Sequence, residues 1–237
     1  MATGIGPLFG VEINGERKNL LGSLESAKQL QAAVAAEGGT AVIFQHSDSE
    51  VEGRMRERAS HEFMTRGVQY YVAARYSAWS GLWVCGNLYH HSVEMFLKSE
   101  LTRKYSLVEL HKKFYHRLIA IWGEFKALFP STTLVEFDTT VGDLADFEDI
   151  RYPDKVTKHG AQIRIDYREQ VLREPSLRPE PEYHLDFYEL DRLVATIFDV
   201  SNINPSFYLS GLKPDVKEML GRDNPAAAQL FPRQGGA

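Results

Sequence analysis

Two stretches of this chain set chemically capable side chains at close spacing. In LYHHSVEMFLKSE, His90 and His91 precede Glu94 by four and three residues, and Lys98 follows it by four. Residues three or four apart share one face of a helix. Imidazole and carboxylate bind transition metals, but a site needs them to converge from more than one element. His111 and His116 are the downstream residues that could complete such a set. The plainer account is an i,i+4 ion pair between Glu94 and Lys98, worth ~0.2–0.5 kcal/mol, with the histidines at the edge of the helix packing. No metal is expected on this account, and His90, His91 and Glu94 remain the candidate ligands should one bind.

The second stretch is FEDIRYPDK. Arg151, Tyr152 and Asp154 are residue types that meet phosphates and bases. They also have a local explanation. Pro153 disfavours the α conformation at Tyr152, so a helix should end near Arg151. A cation at the negative end of the helix dipole is stabilised by ~0.3–1 kcal/mol. The commoner catalytic signatures do not occur: there is no Gly-rich phosphate loop before a helix, no GxSxG, no HExxH and no paired CxxC. No cofactor is expected, and the residues alone do not decide whether the chain is an enzyme.

Composition narrows the classes further. The chain has 237 residues, 43% apolar and 25% charged, an ordinary globular balance. No stretch is long and apolar enough for a membrane-spanning helix. The start, MATGIGPLFGVEING, lacks a basic region followed by an apolar core, so a cytoplasmic protein is expected. The single Cys85 lies in an apolar run and reads as a buried thiol. A net charge of −5 argues against nonspecific coating of DNA, which rests on Lys and Arg neutralising phosphates. The charge is uneven: residues 98–117 hold six Lys or Arg against Glu100 and Glu109, and residues 136–154 hold seven acids against Arg151. The two blocks are either opposed faces of one groove or separate solvated surfaces.

The elements that would position these residues are mostly helices. Residues 1–58 read as a separate lobe: a hairpin turn at Asn14-Gly15, a short helix capped by Ser23 and ended by Gly38-Gly39, a strand in TAVIFQ, then a polar linker, HSDSEVEGRMRERAS. Four helices follow between residues 62 and 151. The first carries the stripe Gly67, Tyr71, Ala74, Ala78 and Gly81, whose small residues allow close approach of a neighbour. The second holds the histidines. The third is predicted to run from Ser106, with Glu109 completing a capping box, to Pro130, along the stripe Leu107, Leu110, Phe114, Leu118, Ile121, Phe125 and Leu128. The fourth buries Val141, Leu144, Phe147 and Ile150.

Beyond Arg151, AQIRIDYREQ alternates as a half-buried strand and is expected to sit in a short β-hairpin insertion over residues 156–183, entered through a turn at His159-Gly160. EPSLRPEPEYH reads as loop, LDFYELDRLVATIFDV as a further helix, and residues 216–237 as a loose tail. The fold expected is mainly α, a four- to five-helix up-and-down bundle over residues 59–215 with a small α/β embellishment before it.

The order of these motifs resembles the HEPN family of helical-bundle domains, over about residues 62–155. NLYHHSVEMFLKSEL is similar to the family's second helix with its Glu-x-x-Leu-Lys ending, here Glu94, Leu97 and Lys98. SLVELHKKF is similar to its His-x-Leu segment with the order altered, and Arg151-Tyr152-Pro153-Asp154 to the RYPD that many members carry after the fourth helix. Many members are metal-independent ribonucleases that use an Arg followed after four to six residues by His. A histidine can move a proton at neutral pH while arginine steadies charge on phosphate. Here the histidine after Arg151 is His159, too far on. A formal match, Arg56 and His61, falls in the expected linker and at the start of the first helix. The resemblance therefore implies a non-catalytic domain binding a nucleotide, RNA or another polyanion. Its expected contacts are Arg151, Tyr152, Asp154, Lys98, Arg103, His111, Lys112 and Lys113. The alternatives are a homodimeric scaffold or interaction module, and a ribonuclease with displaced catalytic residues.

Overall fold

The computed structural model describes residues 8–167 and 180–231. The chain divides into two compact units, residues 1–58 and 59–237. In the first unit, β1 (Phe9–Ile13) pairs antiparallel with both β2 (Glu16–Gly22) and β3 (Ala41–Gln45), giving the order β2-β1-β3. Asn14 and Gly15 link β1 to β2 with φ of 50° and 84°. Positive φ at both turn residues is what a two-residue hairpin needs, and this dipeptide adopts it at little cost. Between β2 and β3 lies α1 (Leu24–Ala36); the Ser23 side chain accepts the Ser26 N–H at its start, and Gly38 leaves it at φ 79°.

The segment predicted as a linker is helical instead. α2 runs from Asp48 to Trp79 and contains the division between the units. Ser47 and Glu50 exchange hydrogen bonds in a capping box, and Glu52 and Arg56 form an i,i+4 pair. A polar stretch without proline can extend a helix once its end is capped, even with no apolar stripe.

The second unit is a mainly helical bundle organised around α3 (Val84–Leu101). α4 (Leu107–Phe114), α5 (Leu118–Leu128), α6 (Thr132–Val135) and α7 (Asp138–Asp146) follow, and α7 tightens into a 3-10 turn at Phe147–Ile150. α3 packs against α5, α7, that turn and α9 (Phe187–Val200). The predicted stripes fill the core: Tyr71, Ala74 and Ala78, then Leu110, Phe114, Leu118, Ile121 and Phe125, then Val141, Leu144 and Phe147. The predicted third helix is nevertheless broken. Tyr115 ends α4 with φ 49°, and α5 restarts at Leu118. Arg117 caps the break by donating to the Lys113 carbonyl.

Pro153 ends one helix and begins another. Arg151 caps the 3-10 turn, and α8 (Pro153–His159) carries the proline at its first position, where its missing N–H costs nothing. The segment read as the approach to a hairpin is thus helical. The strands that follow, β4 (Gln162–Asp166) and β5 (Glu182–Asp186), pair in parallel, not as a hairpin. The proline-rich stretch lies outside the described residues up to 179, and its end, Glu182–His184, belongs to β5.

The C-terminal stretch is also more ordered than its composition predicts. α10 (Pro205–Leu209), α11 (Pro214–Gly221) and α12 (Ala227–Leu230) follow α9 and bury Leu209, Leu220 and Leu230. A buried polar network ties them to the bundle. Arg75 pairs with Asp191 at 3.1 Å and donates to the carbonyls of Leu220 and Arg222. Tyr71 donates to Asp191 at 2.6 Å and accepts from Asn224 at 3.1 Å. No helix among the described residues is long and apolar enough to cross a membrane.

Candidate functional site

The histidines of α3 converge on Glu94. The carboxylate is fully buried, and Lys98, one turn on, donates to its Oε1 at 2.5 Å. Lys98 also donates to the Tyr115 carbonyl at 2.5 Å, so the break between α4 and α5 is held against α3 by the same ammonium. That break places His116, whose Nδ1 lies 3.0 Å from Oε1 and 3.1 Å from Oε2 of Glu94. On Oε2 two more imidazoles converge: His91 Nδ1 at 3.6 Å and His90 Nε2 at 3.8 Å. One ligand atom each from His91, Glu94 and His116 lies within 4.8 Å of the others. Tyr70 packs on His91 and Tyr115 on His116, closing the sides of the cluster with aromatic rings.

The electrostatics follow from this packing. Burial alone would raise the Glu94 pKa. The hydrogen bonds from His91, Lys98 and His116 and the Lys98 charge outweigh it and hold the group at about 2. His90 moves the other way: burial lowers its pKa and favours the neutral ring. Its Nδ1 lies 3.2 Å from the Leu144 carbonyl. A carbonyl only accepts, so the proton sits on Nδ1 and the Nε2 lone pair is bare.

The cluster continues toward Arg151. His90 Nε2 lies 4.0 Å from Glu148 Oε2, and Glu148 Oε1 receives Arg151 at 3.2 Å. Arg151 lines an open groove of about 340 Å³ with Trp83, Val84, Asn87, Ile150, Pro153, Val156 and Ile163. Trp83 is 59% exposed there. Tyr152 is exposed and packs under the Arg151 guanidinium, and Asp154 opens α8.

The other candidates do not gather at this groove. Lys98 is buried on Glu94; Arg103 pairs with Glu100 and lies over Phe129. Lys113 pairs with Glu124 and lies over Tyr105; His111 packs on Tyr115, and Lys112 is exposed. Lys98, Arg103 and Lys113 thus each pair with a nearby acid. Arg56 pairs with Glu52, and His61 packs on Phe207 and Tyr208.

A second polar cluster went unseen in the sequence. On β4 and β5, His184 Nε2 lies 2.7 Å from Asp166 and Nδ1 lies 3.5 Å from Asp143 of α7, while Arg164 also pairs with Asp166. Both ring nitrogens are engaged, so the group acts as a brace between the sheet and α7. The parallel pairing of β4 and β5 sets His184 opposite Arg164 and beside Asp166. Cys85 is buried, and burial pushes its thiol up to about 11, out of the range of a reactive thiolate. No protein family, curated protein or solved structure matches the chain.

Proposed function

We propose that the chain is a non-catalytic, HEPN-like domain that binds a nucleotide in the groove beside Arg151. The observation that carries this is the sharing of one open groove by a guanidinium and an exposed indole, Arg151 and Trp83. Small-molecule sites have mostly apolar walls and a few placed polar groups, which describes Val84, Ile150, Pro153, Val156 and Ile163 around Asn87 and Arg151. An indole offers a stacking face to any base, and arginine a forked donor to phosphate. Arg151 is held by Glu148 in a partly exposed pair, worth ~0–1 kcal/mol, which a phosphate can outbid. The acidic neighbours Glu148, Asp149 and Asp154 oppose a long polyanion, and Arg103 and Lys113 are paired with their own acids, so a mononucleotide suits the groove better than RNA.

Fluorescence titration with ATP, GTP and a short RNA tests the reading. Saturable nucleotide binding is expected, weakened ~10-fold or more by Arg151→Ala, the scale of one lost charge-assisted hydrogen bond. If the wild-type chain binds none of the three, or Arg151→Ala binds as well as wild type, the reading is wrong.

One observation favours a second reading. Leu82, Trp83 and Val84 are consecutive exposed apolar side chains, a surface suited to a second copy of this chain. Such a dimer would show as a concentration-dependent mass and would be weakened by Leu82→Ser, a position outside the lining of the groove.

A further inference from the structure

The histidine cluster asks for something its own side chains do not supply. Glu94 Oε2 is surrounded by three imidazole nitrogens at 3.1, 3.6 and 3.8 Å, from His116, His91 and His90. His90 is 2% exposed, and its Nε2 has no hydrogen-bond partner. Because its proton is committed to the Leu144 carbonyl, that nitrogen points a lone pair at the carboxylate. Two lone pairs facing each other in a buried site repel, and a cation between them turns the contact favourable.

We propose that His90, His91, Glu94 and His116 form a binding site for a divalent transition metal of the zinc type. The spacing suits one. Four-coordinate metal–N and metal–O bonds of ~2.0–2.1 Å leave ligand atoms about 3.4 Å apart. The Glu94–imidazole separations straddle that value, and the His91, Glu94 and His116 atoms lie within 4.8 Å of one another, so closure draws the imidazoles inward, His90 furthest because it stands outside that set. The second shell matches as well. A ligating histidine donates its other ring N–H to a carbonyl or carboxylate, as His90 does to Leu144. Lys98 occupies Oε1 and leaves Oε2 to the metal, giving one carboxylate oxygen and three imidazoles. Glu148, 4.0 Å from His90, places a further negative charge beside the two positive charges that enter. Imidazole-rich sites with one carboxylate favour Zn²⁺, Co²⁺ or Ni²⁺ over Mg²⁺ or Ca²⁺. The ligands come from two elements, α3 and the α4–α5 break, and the site stands whether or not the neighbouring groove takes a nucleotide.

Titrating the full chain, stripped with chelator, with Co²⁺ and then Zn²⁺ tests this. One equivalent of Co²⁺ should bind with the intense visible absorption of a four-coordinate ion, and Zn²⁺ should displace it and raise the melting temperature. His116 carries the variant test, its side chain being 34% exposed in a connecting turn. His116→Ala and His116→Gln, each checked for native circular dichroism, should weaken binding at least ~100-fold, the upper end of what loss of a mere supporting group costs. If either variant loses its fold, the wild-type spectrum still decides. No saturable Co²⁺ or Zn²⁺ binding by the wild-type chain overturns the proposal, as does octahedral-type weak absorption or equal affinity in folded His116 variants.

Discussion

Glu94 is the residue where charge, burial and helix spacing meet, and its acidity is directly measurable. Its folded-state pKa of about 2 lies below the ordinary value of 4.5. The ionised carboxylate therefore stabilises the fold above about pH 4.5, and that contribution is lost as pH falls through 4.5 toward 2. At ~1.4 kcal/mol per unit the loss is at most about 3.5 kcal/mol. Urea midpoints of the metal-free chain between those limits should fall steeply for wild type and more gently for Glu94→Gln. Parallel curves for the two would show that Glu94 is not the group titrating. Spacing made part of this centre legible: His90, His91, Glu94 and Lys98 share a face on any helix. His116 was visible only as a residue that could contribute. Its arrival depends on Tyr115 leaving the helical region at φ 49°, which no apolar period reports.

At the scale of elements, the helices meet closely where side chains are missing. A Cβ added at Gly86 of α3 would come within 2.0 Å of the Phe147 ring, which leaves the 3-10 turn no room. At Gly123 of α5 a Cβ would meet nothing within 4 Å. Gly86→Ala should therefore lower stability by ~1–3 kcal/mol despite a better helix propensity, and Gly123→Ala should raise it by up to ~1 kcal/mol. Denaturant unfolding of the pair checks both signs; a stabilised Gly86→Ala would mean that the turn is not seated on α3. Periodicity predicted the buried faces well, because burial enforces it: the stripe from Leu110 to Phe125 lies in the core even though the helix breaks inside it. It failed where no apolar period exists. The capped polar start of α2 looked like a linker, and the alternation of Ile163 and Ile165 identified a strand without saying which way its partner runs. Strand direction depends on the connection, and a proline-rich stretch is compatible with either.

At the scale of the molecule, composition misjudged the C-terminus. Gly, Pro and Ala suggested a loose tail, but the tail's carbonyls are what a buried charge requires. Arg75 is 1% exposed and spends its guanidinium on Asp191 and on the carbonyls of Leu220 and Arg222. A buried charge that loses its partners costs several kcal/mol, because water cannot replace them without opening the core. Deleting residues 214–237 removes both carbonyls, Asn224 from the Tyr71 hydroxyl, and the buried side chains Leu220 and Leu230. Each leucine contributes ~1.5–3 kcal/mol of burial. The sum exceeds about 5 kcal/mol, a large part of the ~5–15 kcal/mol that separates a folded domain from its unfolded chain. The truncated chain should thus lose cooperative thermal unfolding. If removal from residue 214 onward leaves the melting transition unchanged, Arg75 finds its partners elsewhere and the C-terminal helices are no part of the bundle's stability.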